Sequence, residues 1–263
     1  MGKPYIKPSG WEPEPPKLKK KRWKFNKASG LFLSPSLVGV MLFFILPFFV
    51  IIRYAVIDNP INGEFVGLAN FDSVIHNSAF VQAAKNTATF SVAAVPLAVA
   101  LALVMAMILE HNIPMRSQFR TFFLSPMMVP VASIVLIWQV LFDYHGVINQ
   151  WISLFGGTGV DWFKSSYSQI VIVILFLWKN LGYNMILFMS ALSAIPKDVL
   201  EVATLDSATE WQKFWYIKLR YLSPTILFVA ILSLINSFKV FREIYLLTGD
   251  YPFDTLYMLQ HFM

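Results

Sequence analysis

The chain has 263 residues, 57% of them hydrophobic and only 14% charged, with a mean hydropathy of +0.59. That composition leaves too little polar surface for a water-soluble globule and fits an all-α polytopic membrane protein. The net charge of +6 gives no reason to expect nucleic acid, because nine of the 21 basic residues lie in the first 27 positions, and the absence of cysteine excludes disulfides and thiolate metal sites.

Residues 1–30 read as a basic, Pro-rich cytoplasmic tail whose block from Lys17 to Lys27 suits the inner leaflet. A signal peptide is not expected, since the apolar run that follows is span-length and no A-x-A-like site succeeds it. Apolar runs fall at about 31–52, 84–109, 120–142, 168–192 and 222–242. Each has the roughly 20 residues that cross a hydrocarbon core about 30 Å thick. Pro35, Pro47, Pro96, Pro126 and Pro130 interrupt them, as membrane helices tolerate when neighbours satisfy the freed carbonyls.

Orientation follows from the basic residues. The stretches 53–83 and 143–167 hold only Arg53 and Lys164, whereas 193–221 holds Lys197, Lys213, Lys218 and Arg220. Basic loops stay inside. The N-terminus and the stretches 110–119 and 193–221 are therefore cytoplasmic, and 243–255 is external. The expected location is the cytoplasmic (inner) membrane, with lipid as the solvent of the spans.

The fourth run carries Lys179, Asn180, Tyr183 and Asn184 near its centre. A lysine placed about 15 Å from either end cannot snorkel to water, so it faces protein or an aqueous cavity. Asn180, Tyr183 and Asn184 stand at i, i+3, i+4 and share a face, while Gly182 admits a close neighbour. The fifth run ends in Asn236-Ser237-Phe238-Lys239-Val240-Phe241-Arg242-Glu243, in which Asn236, Lys239 and Glu243 form a second polar strip. Amides beside aromatic faces suit a neutral polyhydroxylated ligand. Interhelical polar glue is the competing reading for each of these residues.

Between these two runs lies a polar island, residues 195–224. Pro196 suits a first helical turn, and Asp198 puts negative charge near that helix's N-terminus. Val199, Val202 and Ala203 give a short helix one apolar face. Ser207-Ala208-Thr209-Glu210 reads as a capping box opening a second helix, with Trp211, Phe214 and Trp215 on one side.

This island resembles the EAA loop of binding-protein-dependent ABC importer permeases, E-A-A-x-x-D-G-A followed about nine residues later by I-x-L-P. Glu201, Ala203, Asp206, Ala208, Phe214, Ile217, Leu219 and Pro224 meet the pattern, while Val202, Ser207 and Arg220 replace an alanine, a glycine and a proline. The stretches W-x-N-x-G-Y-N-M before the island and N-S-F-K-V-F-R-E after it resemble the carbohydrate-uptake branch. The resemblance implies a type I permease fold in three parts: the tail 1–30, a first span and outer loop 31–81, and a permease domain 82–263. It also implies a sixth span, so the chain is expected to be truncated at its C-terminus. In that reading residues 196–205 are the coupling helix, and Glu201, Ala203, Asp206, Ser207, Ala208 and Phe214 engage the ATPase. Asn180, Tyr183, Asn184, Asn236 and Lys239 line the substrate pathway.

No catalytic constellation is present. His76, His111, His145 and His261 are scattered, and no Walker A pattern G-x-x-x-x-G-K-[ST] occurs. The chain is expected to bind no cofactor or metal, and ATP-Mg would be used by a partner. The partners implied by the resemblance are a cytoplasmic ABC ATPase dimer, a second permease subunit and an extracytoplasmic solute-binding protein. The cargo expected is a sugar or oligosaccharide. The alternatives are an ABC permease for an amino acid, peptide or phosphate, and an ion-gradient-driven transporter, which would need titratable acids that the spans lack apart from Glu243.

Overall fold

In the computed structural model, residues 27–111 and 113–263 are described; the basic tail expected over 1–30 lies, as far as residue 26, outside them. Among the described residues the only β pairing is an isolated bridge between Ile57 and Phe65. Among the same described residues, five helices are long and apolar enough to cross a membrane: Gly30–Ala55, Ser78–Glu110, Val131–Leu154, Ser168–Ser193 and Glu210–Thr248. The all-α polytopic architecture is therefore present. The chain divides into two compact units at Asp72/Ser73.

The first unit holds α1 (Lys27–Val40), a π-helical turn (Met41–Ile45), α2 (Leu46–Ala55) and the start of α3 (Ala69–Ile75). The π turn comes just before Pro47, whose missing N–H removes one rung of the helical ladder. Leu31, Phe32 and Phe43 are among many large apolar side chains left uncovered. A helix apolar all round and unburied requires hydrocarbon as its solvent. Beyond it, the Asn70 amide donates to the carbonyls of Ala55 (3.1 Å) and Ile57 (2.8 Å), satisfying acceptors at the end of α2.

The second unit is built on α4 (Ser78–Glu110), α8 (Ser168–Ser193) and α11 (Leu219–Phe238), which pack against one another. Asn77 caps α4 by accepting from the Ala79 N–H at 2.9 Å. Ala94, Ala98, Ala102 and Ala106 repeat every four residues and are wholly buried, a stripe of small side chains that lets the long helices approach closely. Two apolar clusters fill the interior. One centres on Phe90, Ile134, Trp138, Ile172 and Ile244, the other on Leu109, Met185, Phe188, Leu222 and Val229.

The third apolar run, expected as one span over 120–142, is instead two helices, α5 (Arg116–Met128) and α6 (Val131–Phe142). Pro130 caps α6, and Val129 ahead of it is extended, with φ −81° and ψ 132°. Proline disfavours helical geometry in the residue before it. The apolar span resumes from Val131 and continues into α7 (Val147–Leu154), so five candidate spans remain with a shifted third member. The fifth run is longer than its expected 222–242. After a turn at Lys239 and Val240 it resumes as α12 (Phe241–Thr248), occupying the start of the expected loop 243–255.

The segment after α12 folds back on the bundle. The amide of Asn86 on α4 donates to the Tyr257 carbonyl at 2.9 Å, and Gln169 on α8 donates to the Thr255 carbonyl at 3.1 Å.

Candidate functional site

Two features of the second unit concern function: a polar cavity within the bundle and the loop between α8 and α11. The cavity, about 350 Å³, lies among α8, α11 and α12, with Met127 of α5 on its wall. Asn180, Tyr183, Asn236 and Lys239 all line it, so the structure brings four of the five expected pathway residues together. Asn236 donates to the Asn180 side-chain oxygen at 3.0 Å, and Asn180 donates to the Phe176 carbonyl at 2.8 Å. These bonds fix the two amides and leave the remaining donors and acceptors to the cavity. Tyr183 adds an exposed phenol, while Phe176 and Leu175 supply apolar wall.

Asn184 stands apart. It is 2% exposed and donates to Ser233 Oγ on α11 at 3.0 Å. It joins two helices and is not on the cavity wall.

Lys179 and Glu243 also line the cavity and form an ion pair from α8 to α12. Sequence reading grouped Glu243 with Asn236 and Lys239 in one polar strip, and its ion-pair partner is the mid-span lysine of α8. The signal available was Lys179 itself, since a cation at that depth needs a counter-charge. Gly182, on the same helix, meets α5: a Cβ there would run into the Phe123 carbonyl oxygen.

The loop between the bundle helices opens with Pro196 as the N-cap of α9 (Lys197–Leu205), one position before the first-turn place expected of it. No residue of α9 is buried; Val199 and Ala203 are half-buried, while Glu201, Val202 and Leu205 are exposed. α9 ends in a Schellman motif. Ser207 N–H donates to the Thr204 carbonyl (3.0 Å) and Ala208 N–H to the Ala203 carbonyl (2.9 Å), around Asp206 as C-cap. Ser207 takes φ +58°, the left-handed conformation that glycine adopts freely.

The capping box expected at Ser207–Glu210 sits two residues later. The Thr209 hydroxyl accepts from the Gln212 N–H at 3.3 Å, and Gln212 Oε1 accepts from the Thr209 N–H at 2.8 Å. Ser207 is committed to closing α9, so it cannot also cap the next helix. That helix, α10 (Glu210–Lys213), continues through a π turn (Phe214–Lys218) directly into α11. Trp211, Phe214 and Trp215 cluster as expected, with Phe214 and Trp215 ring centroids 5.4 Å apart. Two ion pairs brace the stem, Lys213–Glu210 and Lys218–Glu110, each 2.8 Å, the latter tying the end of α4 to the π turn. Sequence reading missed both. A hollow of about 300 Å³ opens beside Asp206, Ser207, Ala208, Gln212 and Tyr216.

Among the described residues no cluster of His, Asp or Glu could hold a metal. The arrangement is a cavity lined by amides, a phenol and charged groups, whose helices α8 and α11 are linked through turns to an exposed short acidic helix. It offers means to bind and to move.

Comparison with known proteins agrees. Residues 98–260 match the family described as the binding-protein-dependent transport system inner membrane component. The chain is 32% identical to the trehalose/maltose transport system permease protein MalF of Thermococcus litoralis, over 89% of this chain and 81% of that one. It is 29% identical to the sn-glycerol-3-phosphate transport system permease protein UgpA of Rhizobium meliloti, over 84% of this chain and 78% of that one. The fold superposes on the crystal structure of a bacterial ABC transporter involved in import of the acidic polysaccharide alginate, with a TM-score of 0.78 at 20% identity, covering 90% of this chain and 82% of that one. The long apolar helices, the loop that interrupts them and these likenesses place the chain in one family: it is a binding-protein-dependent transport system inner membrane component.

Proposed function

We propose that this chain is the permease subunit of an ATP-driven importer that carries a sugar or oligosaccharide into the cytoplasm by alternating access. The observation that carries the reading is the pairing, along the same helices, of an amide-lined cavity with an exposed short acidic helix. Sugar cargo is supported by the chemistry of Asn180, Asn236 and Tyr183 and by the trehalose/maltose relative.

In this mechanism a cytoplasmic ABC ATPase dimer grips α9, with Glu201 held by basic or backbone donors. ATP-Mg is bound and hydrolysed by that partner, and this chain performs no bond chemistry. Closure of the ATPases pushes α9, and the Schellman turn at Asp206–Ala208 passes the displacement into α10 and α11. Phe214 and its tryptophan neighbours hold the base of that lever. The cavity then switches between outward and inward exposure. A second permease subunit completes the passage, and an extracytoplasmic solute-binding protein delivers cargo. The N-terminus lies in the cytoplasm. Replacing Glu201 with lysine is expected to abolish ATPase co-purification and uptake while membrane insertion is retained. Uptake at the unmodified rate would rule out the docking role.

A second reading keeps the machine and changes the cargo to a small phosphorylated polyol, favoured by the glycerol-3-phosphate relative.

A further inference from the structure

The cavity carries more charge than a neutral sugar requires. Asn180, Asn236 and Tyr183 already supply the donors and acceptors that hydroxyl groups need. Three charged groups share the same wall: Lys179, Glu243 and Lys239. The first two neutralise each other, with side chains 30% and 6% exposed. Lys239 is at the C-cap of α11, its N–H donating to the Asn236 carbonyl at 3.1 Å, and its side chain has no ion-pair partner among the described residues. The wall therefore holds two ammonium groups and one carboxylate.

Lys239 is solvent-exposed, so water solvates its ammonium until an arriving anion displaces that water. An incoming anion would find Lys239 unengaged, and Lys179, with nearly a third of its side chain exposed, within the same wall. From this we propose that Lys239 makes the cavity selective for a saccharide or polyol bearing an acidic group, a carboxylate or a phosphate. The inference rests on the permease reading above and narrows its cargo. The amides engage hydroxyls, and the lysine engages the acid. A charge-assisted hydrogen bond of this kind changes affinity by about tenfold or more.

The test is equilibrium binding to the assembled transporter in lipid nanodiscs, using three radiolabelled probes: digalacturonate, its neutral counterpart digalactose, and glycerol phosphate. Digalacturonate is expected to bind about tenfold more tightly than digalactose. Lys239→Gln should erase the difference and Lys239→Arg should keep it. A role for Lys239 in packing alone would shift all three probes together. Equal or tighter binding of digalactose, or an acid preference untouched by Lys239→Gln, overturns the inference and leaves the sugar reading standing. Binding of glycerol phosphate alone, lost in Lys239→Gln, upholds the acid preference and overturns sugar as cargo. Binding of no probe overturns both.

Discussion

Ser207 shows how one side chain can fill a place suited to another. Its φ of +58° puts an L-residue where a Cβ crowds the following carbonyl, an expense of roughly 1 kcal/mol that glycine avoids. Both Schellman hydrogen bonds are nevertheless made. Ser207→Gly is therefore expected to stabilise the loop by about 0.5–1 kcal/mol, the gain being trimmed by glycine's larger unfolded-state entropy. Thermal unfolding of the purified transporter measures it, and an unchanged or lower melting temperature would refute strain at this turn. The Lys179–Glu243 pair makes the opposite case. Lys179→Met leaves a carboxylate that is 6% exposed without its counter-charge, and the expected loss is about 3 kcal/mol. Adding Glu243→Gln should recover most of it, and a double-mutant cycle reads the coupling. Independent, additive effects of the two changes would show that the pair carries no stability.

Among the elements, the junction of α5 and α8 is the most exacting. Gly182 faces the Phe123 carbonyl with no room for a Cβ, so Gly182→Leu must displace α5. Uptake is expected to fall at least tenfold while α9 still binds the ATPase, because the disturbance lies beside the cavity and away from the loop. Normal uptake by the leucine variant would mean that α5 moves without consequence. This junction also shows what the sequence could disclose. Long apolar runs and the polar island were legible because each spans twenty or more residues of consistent pattern. The glycine's close neighbour was anticipated, but the neighbour's identity was not. Pro35, Pro96, Pro126 and Pro224 lie inside helices, whereas Pro130 begins one. Nothing local to the sequence separates them. Asn184 is similar: at 100° per residue it, Asn180 and Tyr183 span an arc of about 100°, wide enough for α11 to claim one while the cavity takes the others. The capping register, too, turned on whether Ser207 ended one helix or started the next.

At the scale of the molecule, the second unit is a bundle in which polar contacts join helices far apart in sequence. Ser91 and Ser237 share a hydrogen bond of 2.8 Å between α4 and α11, Lys218 reaches Glu110, and Lys179 reaches Glu243. Such pairings are fixed by topology, and a side chain gives no sign of its distant partner, which is why they escaped the sequence. Lys218→Ala is expected to loosen the base of the lever. It should reduce uptake per ATP hydrolysed several-fold while ATP turnover persists, because the π turn then moves without carrying α4 with it. Coupled fluxes at the unmodified ratio would show that the brace plays no part in transmission.

The alanine stripe of α4 has a mechanical corollary. Bulky side chains locked between neighbouring rods must unlock before either rod can travel, and each unlocking adds friction. Methyl groups every fourth residue leave a smooth rail. Along that rail, long rods can glide past each other by small steps with little resistance, so the stroke of the transporter should be limited by its motor and not by its bearings.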